Sequence, residues 1–342
     1  MEEAIYYNAL AIEWRGVREA LKKLKDRFGT WKAAYLNETA RQPRIVNPER
    51  EFRKLDHSGA RLVLYGDPEY PAALTEIADP PFGLYIKGVL PEKALSLAVV
   101  GTRKATPEGL KIAKDFSRTL GDIGIIIVSG LAFGIDASAH AGALDSGGGK
   151  TIAVLATGLH MTYPQMNGWL ARRILEKGGA ILSEYPLGEP PLPYRFLERN
   201  RIVSGLSKGV VVVEAPESSG SLATARYALE QNRDVFVVPG NILHPNFKGS
   251  HALIRQGAEL VTSAEEILSS YGIEKEERDA RIETSASEEE KLILNALRST
   301  STAQDVDKLS LITKLDTRIV NRAIGFLLIK HLVKETEYGY TI

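Results

Sequence analysis

Residues 95–109 read LSLAVVGTRKATPEG. The run from Leu95 to Val100 is apolar almost throughout, Gly101 opens a turn, and a helical pattern runs from Pro107 to Gly121. An apolar run with no polar face marks a strand covered on both sides. Strand, turn and helix in that order form the repeating unit of a parallel sheet with helical crossovers. The unit recurs in both directions. Further strand candidates are Arg61–Tyr65, Leu84–Lys87, Ile125–Val128, Thr151–Leu155, Ala180–Ser183, Val210–Glu214 and Val235–Val238, with a short one near Leu260. Helix candidates between them are Ile135–Asp145, Gln165–Lys177, Ser221–Asn232 and Ala264–Ser270. This alternation predicts an α/β unit over 58–273, an extended Rossmann-like, doubly wound, mainly parallel sheet. Its ligand belongs at the carboxyl ends of the strands.

The flanks differ in pattern. Over residues 1–57, Leu10, Trp14, Val17, Leu21, Leu24 and Phe28 recur at helical steps, Gly29-Thr30 breaks the pattern, and Trp31–Leu36 starts again. Basic residues lie between the apolar ones, giving 12 Lys/Arg against 9 Asp/Glu. Residues 274–290 carry 3 Lys/Arg against 8 Asp/Glu and read as an acidic linker, placed at 274–287. From 288 to 342 the pattern is three short helices, Lys291–Leu297, Ala303–Lys314 and Thr317–His331, then two strands around a turn near Gly339. Thr317 is the expected N-cap of the third helix. That order is the winged-helix pattern, and the third helix carries Arg318, Arg322 and Lys330. Groove binding and protein docking are both open for it.

Formal net charge over the 342 residues is +0, so bulk basicity does not drive binding to a polyanion. An anion would have to be held by a local pocket and oriented backbone donors. Cysteine is absent, which removes disulfides and thiolate chemistry. The 6 histidines form no metal-ligand spacing, so no metal is expected. No apolar run is long enough to span a bilayer, and a cytoplasmic protein is the expectation.

Three strand-to-helix turns are equipped for an anion. Gly101-Thr102-Arg103 offers close backbone approach, a hydroxyl and a charge. Ser129-Gly130 leads into Asp136, at the start of a helix that also carries His140, read as a buried hydrogen-bonding histidine. Ser219-Gly220-Ser221 follows the strand GVVVVE. A fourth stretch, FLERNRIV at 196–203, sets Phe196 and Asn200 among Arg195, Arg199 and Arg201. Arginine forks suit phosphate oxygens, and an aromatic ring can stack on a base. Glu214 and Glu230 offer a carboxylate pair, but no nucleophile with its base and no metal set accompanies them, so no catalytic residue is assigned. Gly147-Gly148-Gly149-Lys150-Thr151 imitates the end of an ATPase phosphate loop. That loop needs a glycine where Leu144 stands, and it follows a strand, whereas this stretch precedes one.

In order along the chain, VVGTRKATPEG, VSGLAFGIDASAH, TIAVLATGLHMTYPQMN, ILSEYPLG, FLERNRIVSGLS, VVVVEAPESSGSLATARYALE and VFVVPGN resemble the DNA-processing protein A (DprA/Smf) family. The resemblance covers roughly residues 60–270. It implies an extended Rossmann domain that binds single-stranded DNA, has no enzymatic activity or cofactor, forms a homodimer, and loads RecA recombinase during natural transformation. It maps the family's pocket arginine onto Arg103 and its F-x-x-R-N-R motif onto Phe196, Arg199, Asn200 and Arg201. The expected DNA-binding set is therefore Gly101, Thr102, Arg103, Ser129, Gly130, Phe196, Arg199, Asn200, Arg201, Ser219, Gly220 and Ser221. Arg195 lies outside the motif and is expected to be a solvated surface charge. Residues 1–57 look like the SAM-like helical domain often found in front, and 288–342 like the winged helix often found behind. A second class of function, a phosphoribohydrolase-like enzyme acting on nucleotides, is suggested faintly by SSGSLATARYALE, which ends in Glu230.

Overall fold

The structure is a computed structural model describing residues 2–41, 46–91, 95–273, 286–300, 302–330, 332–336 and 338–342. Its centre is a nine-stranded sheet with β1 (Arg61–Leu64), β2 (Gly83–Gly88), β3 (Ser96–Val100), β4 (Ile126–Ser129), β5 (Thr151–Leu155), β6 (Ala180–Ser183), β7 (Gly209–Val212), β8 (Asp234–Val237) and β9 (Glu259–Leu260). The spatial order is β1-β2-β6-β5-β4-β3-β7-β8-β9. The seven strands from β6 to β9 in that order are parallel. β1 and β2 close one edge antiparallel. The chain builds outward from β3 through β4, β5 and β6, then returns to the other side of β3 for β7, β8 and β9. The turns after β3 and β7 are thus neighbours that lead away from each other, which opens a crevice at the strand ends.

The strands read as apolar runs because both faces are buried. Leu97 and Val99 enter one core cluster, Ala98 and Val100 the other. Helices cover both faces: α5 (Ala72–Thr75), α6 (Pro107–Asp122), α7 (Ile135–Asp145), α8 (Gly168–Glu176), α9 (Pro193–Gly205), α10 (Gly220–Glu230), α11 (Lys248–Arg255) and α12 (Ala264–Ser270). α6 starts where the sequence says it should. Thr106 accepts from the Gly109 amide at 3.0 Å, and Pro107 occupies a first-turn position whose missing N–H costs nothing. Three helices outside the expected set are α5, α9 and α11.

Before the sheet lie α1 (Glu2–Glu13), α2 (Arg18–Phe28), α3 (Trp31–Arg41) and α4 (Pro48–His57). The single periodic run from Leu10 to Phe28 is in fact two helices. Arg15 and Gly16 take φ of 53° and 67°, a left-handed pair that no helix can pass through. Tyr7, Leu10, Leu21, Trp31 and Leu55 are buried in a cluster that also contains Tyr85, Ala153 and Ile181 of the sheet. These helices therefore share a core with it.

After the sheet come α13 (Glu288–Arg298), α14 (Val306–Thr313), α15 (Thr317–Ile329) and an antiparallel pair, β10 (Lys334–Thr336) with β11 (Gly339–Thr341). α13 opens with a capping box between Ser287 and Glu290. The N-cap of α15 is Asp316, which accepts from the Arg318 amide at 2.9 Å; Thr317 is its first helical residue. Most of the acidic linker, together with His331, lies outside the described residues. Lys330 is largely buried and donates to Glu290 at 2.7 Å.

Candidate nucleic-acid interface

A cleft of about 560 Å³ opens at the β3/β7 divergence. Its walls are the turn after β3, the turn after β4, the first half of α9 and the start of α10. Gly101, Thr102, Arg103, Gly130, Phe196, Arg199, Asn200, Ser219, Gly220 and Ser221 all line it. So do Lys104, Asp136 and Tyr163, which the sequence reading did not place there.

The β3 turn is held from below. The Thr102 amide donates to the Glu214 carbonyl at 2.7 Å, and the Thr102 hydroxyl accepts from the Lys104 amide at 3.2 Å. Gly101 is required here, because a side chain would run into Ile135 and the Glu214 carbonyl. Arg103 and Lys104 remain exposed. The Arg103 guanidinium lies 5.0 Å over the Phe196 ring, whose centroid is 5.6 Å from that of Tyr163. Cation and rings thus stand together at the mouth, an arrangement suited to a flat base beside a phosphate.

Arg199 sits deeper and is 5% exposed. It donates to the carbonyl oxygens of Gly130, at 2.8 Å, and Val154. Gly130 lets it in, since a Cβ at that position would overlap the guanidinium. Burial pulls the Arg199 pKa down to about 10; the Asp136 charge works against the fall and Arg103 adds to it. Arg199 remains a cation at neutral pH. Burial pushes the Asp136 carboxyl above its usual value, opposed by Arg199 and by the amides of Ala132 and Gly130. The Gly130 amide is therefore already committed to Asp136, at 3.1 Å. The role of this turn is to seat Arg199. It does not offer that amide to an anion.

On the facing wall Ser219 caps α10, accepting from the Ser221 amide at 3.3 Å while its hydroxyl meets that of Ser221 at 2.7 Å. Asn200 donates to the Gly220 carbonyl at 3.1 Å, which ties α9 to this helix start. A capped helix start aimed into a cleft with two exposed cations and one buried one is an anion site in physical terms.

Comparison with known proteins now adds a decisive observation. Residues 61–272 match the family described as DNA recombination-mediator protein A. The chain belongs to that family. Protein Smf of Escherichia coli K12 is 51% identical over 200 residues, 58% of this chain and 53% of that protein. Protein Smf of Synechocystis is 42% identical over 235 residues, 66% of this chain and 58% of that protein. The chain thus spans little more than half the length of these two relatives. The DNA processing protein DprA of Streptococcus pneumoniae R6 is 46% identical over 203 residues, 59% of this chain and 71% of that protein. Among solved structures, DprA from S. pneumoniae superposes with a TM-score of 0.62 at 40% identity, covering 70% of this chain and 80% of that one. DNA processing protein A from Helicobacter pylori, described for its single-stranded DNA binding mode, gives 0.56 at 30% identity, covering 63% and 97%. The mixed, mostly parallel sheet with surrounding helices is the fold of these recombination-mediator structures.

Two residues of the expected DNA-binding set do not reach the cleft. The Ser129 hydroxyl is buried and donates to the Val99 carbonyl at 2.7 Å, bracing β4 against β3. Arg201 projects from the opposite side of α9 and grips Glu184 through both carboxylate oxygens, at 2.6 and 2.8 Å. Arg195 is also not what the sequence suggested. It is 1% exposed, pairs with Glu189 at 2.6 Å and donates to the Arg15 carbonyl at 2.8 Å. The carboxylate pair does not form either. Glu214 is fully buried and accepts from the Thr106 amide, the Thr106 hydroxyl and Asn246, fixing the start of α6, whereas Glu230 is exposed at the far end of α10. His140 is buried as expected, its Nδ1 2.6 Å from the Thr151 hydroxyl. That hydroxyl donates to the Ile127 carbonyl, so Nδ1 carries the proton. Burial, with Arg199 nearby, pushes the His140 pKa down to about 3.

Among the described residues no helix is long and apolar enough to cross a membrane.

Proposed function

We propose that the cleft holds the backbone of single-stranded DNA, with Arg103 and Arg199 facing phosphates, Phe196 and Tyr163 facing bases, and the Ser219–Ser221 helix start supplying further donors. The observation that carries this is the Arg103–Phe196–Arg199 constellation at the sheet's divergence point, in a chain whose net charge of +0 does not itself attract a polyanion. Stacking tolerates any base, so the contact is sequence-indifferent. The H. pylori relative's single-stranded DNA binding mode supports the same reading. In this role the protein is a non-enzymatic mediator, acting as a homodimer to protect incoming DNA and to load RecA recombinase during natural transformation and homologous recombination. Ile242 and Leu243, 81% and 86% exposed on the loop after β8, offer an apolar contact for a protein partner.

The test is binding of labelled oligo(dT) by fluorescence anisotropy, followed by filament assembly. Tight binding that weakens with salt, and faster RecA assembly on DNA precoated with single-strand binding protein, are the expected results. No measurable oligonucleotide binding at low salt removes the proposal. Release of free base from nucleoside monophosphates would replace it with the enzymatic alternative, for which Glu230 is poorly placed.

A further inference from the structure

Helix α9 has two working faces. Phe196, Arg199, Asn200 and Val203 recur at steps of three and four and line the cleft. Arg195, Glu198 and Arg201 recur on the other side and line a second cavity, of about 160 Å³, closed by Gly16 and Val17 of the α1–α2 turn and by Arg18 and Glu19 at the start of α2. On that side the contacts are ion pairs, hydrogen bonds and the Arg195 guanidinium over the Tyr185 ring at 4.5 Å. Arg201, 4% exposed, binds Glu184 through both oxygens and donates to Asp79 at 3.1 Å. Asp79 in turn pairs with Arg18 of α2. Arg195 holds Glu189, the Arg15 carbonyl and the Pro190 carbonyl, the last at 3.1 Å. Tyr185 donates to Glu198 at 2.7 Å. Glu184 directly follows β6, and Asp79 lies in the loop before β2.

We propose that Arg201 is a positioning residue for the cleft. It touches no DNA, sets affinity by fixing α9 from behind, and through the Asp79–Arg18 pair makes the N-terminal helices part of that support. The inference rests on the DNA reading of the cleft above. Its physical basis is the rigidity of one buried, planar guanidinium that spans two carboxylates, Nη2 on both Glu184 oxygens and Nε on Asp79, two residues along the same helix from Arg199. If α9 rolls or slides, the Arg199 guanidinium leaves the carbonyls of Gly130 and Val154, and Phe196 leaves its place beside Tyr163. Lysine at 201 keeps the charge but loses the fork, so it separates position from charge.

The experiment measures the affinity of Arg201→Lys, Asp79→Asn and Arg199→Ala for labelled oligo(dT) against salt, with near-ultraviolet circular dichroism to establish folding. A residue that meets a phosphate on single-stranded DNA contributes about 0.7 to the slope of log K on log salt. Arg201→Lys is expected to weaken binding several-fold with the wild-type slope retained, and to speed hydrogen exchange of the α2 amides. Asp79→Asn is expected to do the same more weakly. Arg199→Ala is expected to lower both affinity and slope. A slope lowered by Arg201→Lys would show direct phosphate contact and overturn the proposal. Unchanged affinity in Arg201→Lys would overturn it too, and unchanged affinity in Asp79→Asn would sever the N-terminal helices from the support. Should Arg201→Lys fail to fold, Asp79→Asn decides, because its pair with Arg18 is only partly buried. If Arg199→Ala alone leaves binding untouched, the DNA reading of the cleft fails, a result separable from the others.

Discussion

Replacing Arg103 by alanine removes an exposed cation from the cleft mouth and little else. Among the described residues the side chain makes no ion pair, and its main contact is the Phe196 ring at 5.0 Å. Folding should survive, since exposed substitutions away from special features usually cost within about 0.5 kcal/mol. On the proposed reading Arg103 gives one charge-assisted hydrogen bond to a phosphate, and its solvent exposure argues for the low end of such bonds, about 1.5 kcal/mol or roughly tenfold in Kd. One phosphate contact also accounts for a slope of about 0.7 in log K against log salt on single strands. Between about 50 and 200 mM salt this narrows the gap by about 2.6-fold, from roughly tenfold to roughly fourfold. Anisotropy of a fluorescein-labelled oligo(dT) across that range measures both quantities. Parallel lines for wild type and Arg103→Ala would refute the phosphate contact and leave Arg103 as a cover for Phe196. Coincident lines would remove it from the site.

Gly130→Ala should be worse than its size suggests, because the new methyl group meets the Arg199 guanidinium. We expect a stability loss of about 1–3 kcal/mol in urea unfolding, and DNA affinity at or below that of Arg199→Ala. His140 makes stability pH-dependent in a defined direction. Its folded pKa of about 3 lies below its unfolded value, so the unfolded chain binds the proton first and stability falls as pH drops from about 6.5 towards 3. By about pH 5 this group has removed up to about 2 kcal/mol, and His140→Gln should unfold in urea with a visibly smaller difference between pH 7 and pH 5. An equal difference in both proteins would assign the effect to other groups. Ile242→Ser with Leu243→Ser should leave oligo(dT) affinity intact and slow RecA filament assembly on coated DNA; unaltered assembly rates would move the partner surface elsewhere.

The sheet was readable because burial on both faces leaves a plain chemical trace, and runs such as GVVVV cannot be solvent-exposed strands. The turns after β3 and β7 were readable because glycine and hydroxyl side chains crowd where a strand ends, joined after β3 by Arg103. Helix α9 was not. Its sequence, PYRFLERNRIVSG, carries no clean apolar stripe over its first half, since one face meets a polar cleft and the other is buried through ion pairs. Hydrophobic periodicity is blind to a helix face buried by charge. The same blindness made Arg195 look solvated. Its partner carbonyl on Arg15 is 180 residues away, and no local pattern announces it. The Leu10–Phe28 run misled in the opposite way, because correct apolar spacing continued through an Arg15-Gly16 turn that interrupts the helix.

Arg199 is held by carbonyl oxygens, and Asp136 acts on it only through space. Among the described residues its guanidinium forms no ion pair, and burial lowers its pKa while the Asp136 charge opposes the fall. On the proposed reading a phosphate completes it. The strand-bound cleft is then the more stable form of the folded molecule, and DNA acts on the protein as an internal anion would. Occupancy and fold stability become one equilibrium: at a free strand concentration about 100-fold above Kd, the native state gains about 2.7 kcal/mol over the unfolded chain. A protein built this way resists unfolding most while it holds a strand, and yields more easily once the strand has been passed on.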